Sequence, residues 1–206
     1  MLHANVDRDQ ILATLAPLCP GIEPDILQDF TTRMDADYFA AFPPKVLAQH
    51  IALAARLTPD HPCEIRFAKL DRTRWTITIV AYDYFSEFAT ICGLLSAFGL
   101  NIEEGRIFTS AESEPARSGR SNTSYGTRPR PQGRPGLTRK KIVDVFTVTP
   151  TEGEPFIAED QKRLAEQLSR MIVLLETNEF DEARQQVNRQ LIEHLGTIRS
   201  SFSGLL

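Results

Sequence analysis

Cysteine is scarce in this chain. Cys19, Cys63 and Cys92 are its three, and no two stand in a Cys-x-x-Cys pair. An odd, scattered set argues against a disulfide framework and fits a reducing cytoplasm. The four histidines, His3, His50, His61 and His194, are equally scattered. Neither residue type makes a zinc-ligand spacing. No apolar run reaches the roughly 18 residues that a membrane span needs. No basic stretch leads into an apolar core at the N-terminus. The expectation is a cytoplasmic protein with no membrane partner. Gly-x-Ser-x-Gly, the P-loop and Gly-x-Gly-x-x-Gly are all missing. No catalytic residue, cofactor or metal is therefore expected.

What is there is ordinary globular material. Hydrophobic residues make up 42% of 206, enough for a real core in one domain with helical additions or in two small domains. The net charge of -4 hides a split. Pro115 to Lys141 holds six Arg, two Lys and no acid, so the rest carries a balance of about -12.

Periodicity divides the chain in three. Residues 7–19, 22–34 and about 43–57 show apolar residues at helical spacing, with breaks at Cys19-Pro20-Gly21 and at Pro43-Pro44. These helices form an N-terminal segment over 1–60. From Pro62 to Pro150 the period alternates. Glu64–Phe67 and Trp75–Ala81 read as strands, rich in the β-branched residues strands prefer, joined as a hairpin through polar Asp71–Arg74. Glu87–Phe98 returns to helix, with a stripe of Phe88, Ile91, Cys92, Leu95 and Phe98 and a stop at Gly99. Ile102–Thr109 and Ile142–Val148 are strands. Residues 111–140, rich in Ser, Gly, Pro and Arg, read as a disordered basic loop. A C-terminal segment over 151–206 holds two helices, about 157–176 and 179–195.

Isolated acids and histidines have bland readings. Asp35-Ala36-Asp37 has the spacing of a metal-holding carboxylate pair, but no Gly-Ser precedes it, and acids at a helix start favour the dipole. Asp60-His61 reverses the phosphohydrolase order and sits in a turn. His50 lies beside the apolar stripe of its helix as a structural histidine, and Cys92 lies on the apolar face of its own.

The segment Ile79-Val80-Ala81-Tyr82-Asp83, a helix containing Gly93, then Phe98-Gly99-Leu100-Asn101-Ile102, Arg106-Ile107-Phe108-Thr109 and Asp144-Val145-Phe146 resembles an ACT domain. It is most similar to the ACT repeats of the PII uridylyltransferase and glutamine-synthetase adenylyltransferase family. The resemblance covers about ninety residues, less the loop. It implies an α+β fold: a ferredoxin-like, ACT-type antiparallel sheet with helices on one face, flanked by N- and C-terminal helices. The family's fourth strand has no counterpart after residue 157, so the strand at 63–69, or a partner chain, is left to fill that edge.

The resemblance also implies a ligand site at Asp83, Phe85, Ser86, Asn101 and Ile102. The family's Asp-Arg-Pro-Gly is here Asp83-Tyr84-Phe85-Ser86, so the glycine that lets a ligand carboxylate approach is replaced. The implied function is a regulatory module sensing a small metabolite, an amino acid such as glutamine, in nitrogen or amino-acid metabolism. It would act on an attached or separate nucleotidyltransferase, as a homodimer or packed against another ACT module. An alternative is the non-catalytic N-terminal portion of such an enzyme. Another is binding of nucleic acid or an acidic partner through Arg117, Arg120, Arg128, Arg130, Arg134, Arg139, Lys140 and Lys141. Only Tyr125 is there to stack on a base, which weighs against nucleic acid.

Overall fold

The computed structural model describes residues 7–84, 87–112, 139–151, 155–177 and 179–203. Of Glu87, Glu176 and 193–203 only the backbone is described. Four short helices come first. In α1, Arg8–Leu15, the Asp7 carboxylate caps the free N–H groups of Asp9 and Gln10. In α2, Pro24–Arg33, and α4, Pro44–Ala54, proline opens the helix where no N–H is needed. In α3, Ala36–Ala41, Asp35 accepts from Tyr38 N at 2.9 Å. Asp35 is thus a helix cap, and Asp37 falls in the first turn.

The sheet follows: β1, Cys63–Lys69; β2, Trp75–Tyr82; then helix α5, Glu87–Ala97; β3, Leu100–Thr109; and β4, Lys141–Pro150. The order across the sheet is β1-β2-β4-β3, and every neighbouring pair is antiparallel. β1 and β2 form the expected hairpin, and β1 fills the edge beside β2. α5 stops at Gly99, whose φ of 68° is the left-handed conformation that glycine adopts at no steric cost. In β3 the register slips between Ile102 and Glu104, a bulge at Glu103. Helices α6, Ala158–Glu176, and α7, Phe180–Ser203, close the chain, parted at Thr177.

Helices cover both faces of the sheet rather than one. β2 turns Ile77 and Ile79 to one side and Val80 and Tyr82 to the other, and β4 does the same with Phe146 and Val148 against Val143. A sheet apolar on both sides needs two covering layers. Under α5 and α6, a core forms with Ile91, Leu94, Leu164, Leu168 and Ile172. On the opposite face α1–α4 bring Leu15, Phe30, Tyr38, Leu47 and Ile51. Each such side chain, fully buried, contributes about 1.5–3 kcal/mol. Phe88, expected in the α5 stripe, is 53% exposed; Leu94 takes the buried place.

His50 sits inside the second layer, 3.0 Å from the Tyr38 hydroxyl. Burial, and then the charge of Arg66, pull its pKa down to about 4. Tyr38 keeps its proton more tightly than usual because it is buried, so the hydroxyl donates to a neutral ring. This histidine is a core residue.

The two strand ends flanking residues 113–138 are tied together. Ser110 N donates to Lys141 O at 2.8 Å, and Lys141 N to Ser110 Oγ at 2.9 Å. Arg33, at the end of α2, donates from Nε to Ala111 O at 2.7 Å and from Nη2 to Arg139 O at 2.9 Å. Asp29 completes the cluster, 3.3 Å from both Arg33 Nη1 and Lys141 Nζ. The loop expected over 111–140 lies, apart from these stems, outside the described residues.

Candidate functional site

The end of the sheet where β2 stops and β4 begins gathers several groups. Asp83 follows β2, is exposed, and donates its N–H to Lys140 O at 3.0 Å. Tyr84 comes next and packs against all three apolar clusters. The Arg139 guanidinium lies over the rings of Tyr82 and Tyr84, at 4.9 and 5.5 Å. That spacing is the cation–π arrangement.

Asp144 stands inside. It occupies β4 between Ile79 of β2 and Ile107 of β3, on the face toward α5. It is 1% exposed, and its buried Oδ1 has no hydrogen-bond partner among the described residues. Burial, and then the charge of Asp83, raise its pKa to about 7. An unpaired carboxylate in such a place takes up a proton rather than stay charged. Cys92 on α5 is shifted in the same direction: burial first and the charge of Asp144 second push its thiol up. At neutral pH it is a protonated thiol, not a nucleophile. Phe88 stacks on Phe146 at 6.3 Å, beside Asp144 on the same strand face.

Chemically, this end offers two carboxylates, one at the surface and one buried with no cation partner among the described residues, while the Tyr82 and Tyr84 rings are already covered by Arg139. It is suited to receiving a positive group. Among the described residues no group of three or more His, Cys, Asp and Glu is placed to hold a metal ion. No described helix is long and apolar enough to cross a membrane.

The site residues implied by the resemblance are dispersed. Asp83 is at this end. Phe85 and Ser86 lie outside the described residues. Asn101 pairs with Thr149 and Ile102 with Val148, whereas Tyr82, just before Asp83, pairs with Lys141. Eight residues along β4 separate the two ends, about 27 Å at strand rise. Asp83 and Asn101 thus do not share a pocket within one chain. Asn101 is exposed and Ile102 is 37% exposed on the edge strand. His61, in its turn, faces Glu64 at 3.0 Å.

No protein-family model matches this chain, and no curated protein matches it.

Asp144 escaped the sequence reading as a site residue. It entered only as the first letter of Asp144-Val145-Phe146. The signal was present: it is a lone acid in the apolar run Ile142–Val148. A charge at a strand position whose neighbours are all buried is a functional-site candidate.

Proposed function

We propose that the chain is a regulatory module that binds an amino acid, such as glutamine, by its ammonium group at Asp144, with the negative charge of Asp83 nearby. The observation that carries this reading is the buried Oδ1 of Asp144, which has no hydrogen-bond partner among the described residues, with the charge of Asp83 near enough to raise its pKa. An ammonium seated there would pair the buried charge and let the carboxyl ionise. Ile107, opposite Asp144 on β3 and 42% exposed, is the side chain that would yield to admit it.

The strand order supports a ferredoxin-like, ACT-type sheet, with β2-α5-β3-β4-α6 as its split β-α-β unit and β1 in the place of the fourth strand. On the resemblance, the module passes its state to an attached or separate nucleotidyltransferase, through packing with a second copy or another such module. The mechanism is a population shift: the ligand favours whichever packing leaves Asp144 ionised.

A thermal-shift scan of the full chain against the twenty amino acids tests this. A true ligand stabilises by about 2.7 kcal/mol at a hundred times its dissociation constant. The shift should grow as pH rises toward 7, where Asp144 gives up its proton more readily, and vanish in Asp144→Asn. No shift with any amino acid, or a shift that survives in Asp144→Asn, overturns the reading.

A further inference from the structure

At the end of the sheet away from Asp83, the β1–β2 turn, the last residues of β4 and the approach to α6 enclose an open cleft of about 810 Å³. The turn is held rigidly. Asp71 Oδ1 accepts from Thr73 N at 3.0 Å and from Arg74 N at 2.8 Å, and its Oδ2 accepts from Arg74 Nε at 2.7 Å. These donors keep the Asp71 carboxyl far below its usual range.

Arg74 is thereby committed. Arg72, also on the cleft, makes no hydrogen bond or ion pair among the described residues. Lys69 lies over the Trp75 ring at 5.8 Å. Both cations face the cleft, while Glu103 is the one acid among its described lining residues and already accepts from the Thr149 hydroxyl. The opposite wall is apolar: Trp75, Pro150, Pro155, Phe156 and Ile157. Trp75 meets Phe156 edge to face at 5.6 Å, which fixes the indole, and Ile157 is 53% exposed.

We infer that this cleft is a second binding site, for an anionic ligand carrying a planar ring, of the nucleoside monophosphate class. The phosphate sits between Arg72 and Lys69. The arginine fork matches phosphate oxygens two at a time, and the lysine adds a point charge. The ring lies along Trp75 and Ile157, covering apolar surface that is otherwise wet. A bare anion would leave that wall unused, and an uncharged ring would leave Arg72 unpaired. Nothing in this site involves Asp83 or Asp144, so it stands or falls independently of them.

Trp75 is the chain's single tryptophan, so its fluorescence reports on this cleft alone. Titration of the full chain with adenosine monophosphate should quench it saturably, and calorimetry should return the same dissociation constant. Adenosine and inorganic phosphate should each bind about tenfold more weakly or worse, since each meets only half of the site. Arg72→Ala should weaken adenosine monophosphate about tenfold with an unchanged melting temperature, because Arg72 supports nothing in the fold. The inference is overturned if adenosine monophosphate gives no saturable quenching, if phosphate binds as tightly as the nucleotide, or if Arg72→Ala binds as well as the parent.

Discussion

Arg33 and Ala111 hold one another twice: Ala111 N donates to Arg33 O at 2.9 Å, and Arg33 Nε donates to Ala111 O at 2.7 Å. The same guanidinium reaches Arg139 O and faces Asp29. One side chain from α2 therefore binds both stems of the segment that leaves the sheet after β3 and returns as β4. It also joins the N-terminal helices to the sheet.

Arg33→Leu should cost about 3 kcal/mol in urea denaturation, because it strands two carbonyls and leaves Asp29 with Lys141 alone. Arg33→Lys keeps the charge but loses the fork, and should recover only part of the loss. A cost below about 1 kcal/mol for Arg33→Leu would show that the stems hold without it.

Asp144 and His50 should tilt stability against pH in opposite directions. His50 titrates near 4 in the fold against an ordinary 6.5, so the unfolded chain binds more protons in that window and stability rises with pH across it. Asp144 titrates near 7 against an ordinary 3.8, so the folded chain holds the extra proton and stability falls as pH climbs from about 4 to 7. The two slopes offset one another in the parent. Asp144→Asn removes the falling one, and its stability should rise by about 3 kcal/mol more than the parent's between pH 4 and 6.5. Parallel curves for parent and variant would mean that Asp144 is ionised in the fold.

Gly93 sets how closely α5 and α7 approach. A Cβ there would meet Val187 Cγ1 at 2.8 Å, so Gly93→Ala should destabilise by about 1–3 kcal/mol despite its better helix propensity. Adding Val187→Ala should give back part of that loss, a coupling that a double-mutant cycle measures. Strict additivity of the two changes would place the clash elsewhere.

How legible was this fold in its sequence? β2 and α6 were plain, because Trp75–Ala81 alternates and Leu164, Leu168, Met171 and Leu175 recur every third or fourth residue. Both are local patterns. The second covering layer was harder. It follows from Val80, Tyr82 and Val143 being apolar on the far face of strands already apolar on the near one, a fact that shows only when β2 and β4 are set side by side. The Arg33 cluster was invisible, since its partners stand 78 and 106 residues away. The resemblance that names Asp83 and Asn101 together carries no distances, and the register of β3 on β4 sets them at opposite ends of the sheet within one chain.

The bulge at Glu103 has a protective meaning. β3 is the outer strand of an open sheet, with Ile102 and Ile107 in the open. A flat edge of that kind invites strand after strand from neighbouring molecules. Here the ladder is broken at Glu103, and Glu104 and Arg106, paired at 2.7 Å, stud the same stretch with charge. An approaching strand finds no long uninterrupted run to zip against. The irregularity in β3 is thus a guard against aggregation, and straightening it would make this molecule prone to fibre-like growth.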